Sequence, residues 1–285
     1  MKQIDEIVQT LIINGTLTEQ PGLFYGKTGI AVFFFHYARQ TGNGLFQEYA
    51  FDLIEEVREQ LNVTNSVRYD TGLAGIGVGF EYFIQNGFIE AEDDFFDDFD
   101  ARMYRAAMYE PYPDLSLQEG LTGWGRYLIY RIRGNGYRSY KLNEALKHIA
   151  KEIVQRITKN AVPENEQPDV YRFFHDLMTL SDYAKKYADT FKQCRVWKCI
   201  RKPDIKTRLI TSLPFSYLDN LQRLYVCQNY FKLDLTEEIG KEWENRKELD
   251  FNSLTNLELL NGLTAEGLLY LTLFHNLDKS WLNLL

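Results

Sequence analysis

Three carboxylates stand beside glycine-rich turns in this chain of 285 residues. Asp70 and Glu119 come just before two of the turns, and Glu266 lies inside a third. A pair of carboxylates is the minimum equipment of a glycosidase, in which one acts as the acid and the other as base or nucleophile. The structural alternative is capping, because acidic side chains at a helix N-terminus bind free amide groups and suit the helix dipole.

Aromatic and amide side chains occupy the same turns. Tyr25 and Trp124 lie in the first and third glycine clusters, and Asn261 directly precedes the fourth. Such rings can stack on a peptide or a sugar, although aromatic residues at the start of a buried helix also serve as core. We assign no residue a catalytic role. The candidate binding residues, expected at one common mouth, are Tyr25, Asp70, Glu119, Trp124, Asn261 and Glu266.

The cysteines and histidines do not form a metal-binding pattern. Cys194 and Cys199 are separated by four residues, without a second Cys/His pair at the spacing of a zinc finger, and Cys227 lies in an apolar segment. The histidines are scattered among apolar neighbours, as hydrogen-bonded packing residues are. They are His36, His148, His175 and His275. We therefore predict no metal site and no cofactor.

Glycine clusters punctuate the chain at a regular period. They begin at Gly22, Gly72, Gly120 and Gly262, and each opens into an apolar run. The first two intervals are 50 and 48 residues, and Leu213 precedes the last cluster by 49 residues. A glycine turn before a helix allows a sharp bend and a close approach of another segment. The clusters therefore mark the starts of structural repeats.

One-sided helices alternate with helices that are apolar on nearly all sides. Residues 142–157 carry a single apolar stripe, whereas residues 30–35 are wholly apolar. Helical segments near 173–187 and after Pro214 lack a glycine cluster. Two helices in each repeat are typical of an open solenoid or a closed double ring. Because an inner ring would be buried on most sides, we predict an all-α fold, an α/α toroid of about six helical hairpins, with residues 1–285 as a single domain.

Composition and charge exclude several classes of function. The net charge of −8 and the isoelectric point near 5.2 argue against a general nucleic-acid binder. No secretory signal or bilayer-spanning run is found, and an odd number of cysteines suits a reducing compartment, so we predict a cytoplasmic protein. The acidic run 90–100 predicts a solvated start of an outer helix. Residues 185–208, with nine Lys or Arg, predict a solvated face or a docking surface for an acidic partner.

The repeated Gly-Leu-x-x-Gly clusters before apolar helices resemble the lanthionine synthetase C-like (LanC-like) family. The resemblance is sharpest over residues 22–38, 72–89 and 120–130. It implies an α/α toroid and a cyclase that adds a cysteine thiol to a dehydrated Ser or Thr of a peptide. It also implies a zinc ion, held by two Cys and one His, which activates the thiol.

The chain departs from that family at the zinc ligands. Leu260-Asn261-Gly262 stands where Cys-His-Gly is expected, and residues 213–216 contain no cysteine. We therefore predict a LanC-like protein of peptide modification that binds a peptide substrate or a modifying enzyme without the zinc site. Two alternatives stay open: an active lanthionine-type cyclase with non-standard ligands, and an α/α-toroid carbohydrate-active enzyme using paired carboxylates.

Overall fold

The computed structural model describes residues 2–61, 66–134, 139–195, 197, 215–245 and 256–285. These residues form twelve α-helices and a short 3-10 helix, and no strand occurs among them. The all-α prediction is confirmed. In the same ranges, no helix is both long and apolar enough to cross a membrane. Two compact units divide the chain, residues 1–93 with 246–285 and residues 94–245, and the single-domain prediction stays a prediction.

Twelve helices occur in the described ranges of the chain. In order they are α1 (Lys2–Gly15), α2 (Lys27–Thr41), α3 (Gly44–Leu61), α4 (Leu73–Gln85), α5 (Asp97–Tyr109), α6 (Leu121–Gly134), α7 (Tyr140–Thr158), α8 (Gln167–Leu177), α9 (Ser181–Cys194), α10 (Asn220–Phe231), α11 (Thr236–Asn245) and α12 (Leu263–Phe274). The 3-10 helix is Lys279–Asn283. The first unit holds α1 to α4, α12 and the 3-10 helix, and the second holds α5 to α11.

Odd-numbered and even-numbered helices differ in burial, as the apolar patterns predict. In α4 every residue from 73 to 83 is buried, because the whole segment is apolar or small apart from Glu81. In α7 burial is confined to one stripe, and the helix starts where the Ser139 hydroxyl accepts a hydrogen bond from the Leu142 amide at 3.3 Å. The twelve helices thus make six successive pairs, each a one-sided helix followed by a buried one.

The segment near 173–187 is two helices rather than one. α8 ends at Leu177, and α9 begins at Ser181. The Thr179 hydroxyl donates to the carbonyl oxygen of Asp176 at 2.7 Å, and the Leu180 amide donates to the carbonyl oxygen of Leu177 at 3.1 Å. Such local bonds replace the next helical turn and close the helix. The sequence pattern missed this break because it carries neither Gly nor Pro.

In the first unit, α2 is the central helix. It packs against α1, α3, α4 and α12. Gly267 of α12 lies so close to Phe33 of α2 that a Cβ atom there would come within 2.8 Å of the ring carbon Cδ2. The first and the last buried helices of the chain are therefore direct neighbours, and α1 also contacts α12.

In the second unit, α6 packs against α5, α7 and α8. Six of the seven carboxylates in the acidic run 90–100 are exposed, as predicted, and Asp100 is the exception. The Asp100 carboxylate accepts two hydrogen bonds from the Arg131 guanidinium, both at 3.0 Å, and a short one from the Tyr127 hydroxyl. Asp100 differs because it contacts Tyr127 and Arg131 of α6, whereas Asp97 and Asp98 of the same turn remain exposed.

Candidate functional site

Four glycine clusters close their loops in the same way. In each, the amide of the first helical residue donates to the carbonyl oxygen of the residue seven positions earlier. The pairs are Lys27 with Gln20 at 2.9 Å, Leu73 with Ser66 at 2.9 Å, Leu121 with Asp114 at 3.1 Å, and Leu263 with Asn256 at 3.0 Å. In three of the loops, the residue after the first helical residue is a threonine, and its hydroxyl also donates to the carbonyl oxygen seven positions earlier. These pairs are Thr28 with Pro21, Thr122 with Leu115, and Thr264 with Leu257.

Glycine is required in these turns for space. Gly72 has a φ of −115°, an extended conformation that any residue adopts. A Cβ atom there would lie 2.5 Å from the carbonyl oxygen of Ser66 and 2.8 Å from the amide of Arg68. The loop backbone therefore passes directly over the start of the helix, which only glycine permits.

Three of the four turns are joined within the first unit. The Phe24 amide donates to the carbonyl oxygen of Asp70 at 2.9 Å, and the Leu259 amide donates to the carbonyl oxygen of Phe24 at 2.9 Å. The turns before α2, α4 and α12 therefore lie side by side. The fourth turn, before α6, belongs to the second unit.

A cavity of about 150 Å³ opens between two of these joined turns, those before α2 and α12. We call it the glycine-turn pocket. The described residues that line it are Thr18, Tyr25, Gly26, Ile30, Asn256, Leu257 and Glu258. An apolar cavity of this volume holds a benzene-sized group, so the pocket has room for about one side chain. Burial raises the pKa of the Glu258 carboxyl, and a hydrogen bond with Asn256 opposes that rise.

The predicted candidates of the first unit have different surroundings. Tyr25 is half-buried and lines the glycine-turn pocket. Asp70 is only 2% exposed and accepts hydrogen bonds from Arg68 Nε at 2.8 Å and from the Thr71 amide at 2.7 Å. Asn261 is exposed with a positive φ of 61°, and Glu266 is half-buried in the first turn of α12. Of these four residues, Tyr25 alone is among the described residues of the pocket wall.

The remaining two candidates, Glu119 and Trp124, belong to the second unit. Glu119 is half-buried, and its amide donates to the Ser116 hydroxyl at 3.3 Å. Trp124 is 3% exposed within α6, so its ring is part of the core. The carboxylates of Asp70 and Glu119, which the sequence suggested as a pair, thus stand in separate units.

Acidic side chains of α8 and of the residue before it accept hydrogen bonds from backbone amides of the third glycine loop. Asp169 Oδ2 accepts from the Leu117 amide at 3.0 Å, and Glu166 Oε2 accepts from the Leu115 amide at 3.1 Å. Asp169 also accepts from the Tyr217 hydroxyl at 3.0 Å. Burial raises the pKa of Asp169, and the Arg172 guanidinium opposes the rise.

A second branch of this buried network links α6, α8 and α10. Arg126 Nη2 donates to the Tyr230 hydroxyl at 3.2 Å, which donates to Asp176 Oδ2 at 3.1 Å. The enclosed space beside these groups is about 10 Å³, the size of one water molecule. The network therefore serves packing. Its sequence signal is the spacing of Asp169, Arg172 and Asp176, which places three charges on one face of a buried helix.

The described thiols belong to no metal-binding group. Cys194 and Cys227 are buried, and burial raises the pKa of each thiol to about 12. Asn261 stands where the LanC-like pattern implies a histidine. Within the described ranges, no group of three or more His, Cys, Asp or Glu could hold a metal ion. Cys199, residues 213–214 and most of the basic run 198–208 lie outside those ranges.

No model of a known protein family matches the chain, and no curated protein matches it significantly. The likeness to LanC-like proteins therefore rests on the glycine clusters and their spacing.

Proposed function

We propose that this protein is a LanC-like, non-catalytic subunit of peptide modification, which binds a peptide at the joined glycine turns of its first unit. The observation that carries this proposal is the glycine-turn pocket itself. Three turns are tied together by backbone hydrogen bonds, and two of them, before α2 and α12, line an opening with room for one side chain. Backbone bonds of this kind hold the rim in place without depending on the side chains that line it.

The packing of the first unit supports the ring arrangement that the resemblance implies. An open solenoid keeps its first and last repeats apart, since each repeat contacts only its neighbours. Here α2 and α12, the first and last buried helices, are in direct contact. The Leu259 amide also bonds the carbonyl oxygen of Phe24. Both contacts lie within the first unit, and they support the ring as part of this proposal.

The chemistry of the pocket wall supports binding over catalysis. A zinc-dependent cyclase needs thiolate and imidazole ligands, and within the described ranges no group of three or more His, Cys, Asp or Glu could hold a metal ion. A glycosidase needs two carboxyl groups about 5 to 10 Å apart. Among the described wall residues, Glu258 carries the one carboxylate. Both alternatives therefore have less support than peptide binding.

Photo-crosslinking tests the proposal directly. A synthetic peptide library with degenerate positions around a benzophenone amino acid is irradiated with the purified protein, and the attachment sites are mapped by mass spectrometry. We expect attachment near Tyr25 and at 256–258, with at least a several-fold loss in Tyr25→Ala. Tyr140→Ala is the matched control because that ring is 78% exposed and lies outside the pocket wall. Attachment elsewhere, or stoichiometric zinc in the purified protein, would contradict the proposal.

A further inference from the structure

Among the described residues that line the glycine-turn pocket, the charge is negative. Glu258 supplies a carboxylate, and the other polar groups are the neutral side chains of Thr18, Tyr25 and Asn256. The carboxylate is half-buried and therefore partly stripped of water. A cation beside the carboxylate would offset the free-energy cost of this lost hydration. Charge-assisted hydrogen bonds are about twice as strong as neutral ones.

The apolar part of the wall complements this charge. Ile30 and Leu257 line the same cavity as Glu258. Long cationic side chains bury their methylene stems along apolar surface and keep the charged head beside polar groups. A volume of about 150 Å³ admits one such side chain and leaves no room for a folded partner. The net charge of −8 also favours the approach of a cationic peptide.

We propose that the glycine-turn pocket receives the side chain of a lysine or arginine in the bound peptide, and that Glu258 is the residue that selects it. This inference rests on the proposed function, since it names the side chain that the peptide-binding site takes. An uncharged side chain of the same length fills the apolar part but leaves the carboxylate without a cation. A glutamate side chain adds like-charge repulsion and is excluded.

Three fluorescent peptides test the selection. They share the sequence Ala-Gly-X-Gly-Ala, with X as lysine, norleucine or glutamate, and their binding is followed by fluorescence anisotropy. We expect the lysine peptide to bind about tenfold more tightly than the norleucine peptide, with the glutamate peptide weakest. In Glu258→Gln the lysine peptide should lose about tenfold and the norleucine peptide should be unchanged. Glu59→Gln is the matched control, because Glu59 is exposed on α3 outside the pocket wall.

A charge reversal guards against a folding defect in the first variant. Glu258→Lys should prefer the glutamate peptide to the lysine peptide, which a merely unfolded protein cannot do. N-acetyl-lysine methylamide separates a peptide from a small amine. We expect it to compete at least tenfold more weakly than the lysine peptide, and equal competition would overturn the assignment to a peptide.

The outcomes separate this inference from the proposed function. Equal binding of the lysine and norleucine peptides, or an unchanged preference in Glu258→Lys, overturns the role of Glu258 while peptide binding stands. If none of the three peptides binds although the degenerate library still crosslinks at the turns, the cation selection alone is wrong. If the library also fails to crosslink, the proposed function falls with it.

Discussion

The backbone amide of Leu259 donates a 2.9 Å hydrogen bond to the carbonyl oxygen of Phe24. Those two residues belong to the last and the first glycine turns, near opposite ends of the sequence. Because the bond joins two backbone groups, no side-chain substitution removes it directly. The rim of the glycine-turn pocket is therefore a long-range feature, which forms only when both ends of the first unit have folded together.

The contact of Gly267 with Phe33 predicts a steric effect on stability. We expect Gly267→Ala to lower the free energy of unfolding by about 1 to 3 kcal/mol, because the new methyl group would overlap the Phe33 ring. Gly240→Ala is the matched control: Gly240 lies in α11 with open space around its Cα, so alanine should raise stability by about 0.5 to 1 kcal/mol. Urea unfolding measures both. Equal effects in the two variants would contradict the close approach of α12 to α2.

The hydrogen bonds of Asp169 predict that its substitution lowers the free energy of unfolding by a larger amount. Asp169→Ala leaves the Leu117 amide and the Tyr217 hydroxyl without this acceptor, and we expect a loss of about 3 kcal/mol in the free energy of unfolding. Asp189→Ala should change it by less than about 0.5 kcal/mol, because that side chain is 96% exposed and its ion pair with Lys192 lies on the surface. A comparable loss in both variants would show that the loop does not depend on Asp169.

His36 predicts a pH dependence of stability. Burial, and then the charge of Arg39, lower its pKa to about 4, against a weaker opposing effect of Asp278. In the folded state Nε2 of the ring shares a 2.7 Å hydrogen bond with the Tyr82 hydroxyl. The unfolded chain, with an ordinary pKa of about 6.5, therefore binds more protons between pH 6.5 and 4, and stability falls as the pH drops through this window.

The lowered pKa of His36 sets the size of this pH dependence. Between pH 7 and pH 5 the loss from His36 should be about 2 kcal/mol in the free energy of unfolding, at roughly 1.4 kcal/mol for each pH unit below 6.5. Urea unfolding of the native protein and of His36→Gln at both pH values measures it. The variant should lack this part of the pH dependence, and an identical dependence in the two proteins would refute the assignment.

The buried thiols predict a chemical test. Because burial raises the pKa of Cys194 and Cys227 to about 12, neither is a thiolate near neutral pH. In a Cys199→Ser variant we expect no reaction with the aromatic disulfide DTNB in the folded state, and two equivalents of reactive thiol in guanidinium. Rapid reaction of the folded variant would show that a thiol is accessible, and would reopen the hypothesis of a cyclase with non-standard ligands.

The pattern of helices was largely predictable because its signals are local. The period of apolar residues along a helix reports how much of that helix is buried, so the alternation of one-sided and buried helices was visible before any contact was known. Glycine spacing likewise marked the starts of α2, α4, α6 and α12. The break between α8 and α9 was missed. The hydrogen bond from the Thr179 side chain that ends α8 cannot be recognised from the residue composition of the segment.

The site was less predictable because it depends on pairing between distant segments. By itself, the sequence determined the helical repeats, the glycine turns and the lack of Cys-His-Gly before the last helix. Arg68 stands two residues from Asp70, and their ion pair gives that carboxylate a structural role. Only the tertiary structure decided that Tyr25 and Glu258 share one pocket, because a long-range backbone hydrogen bond brings the first and last turns together.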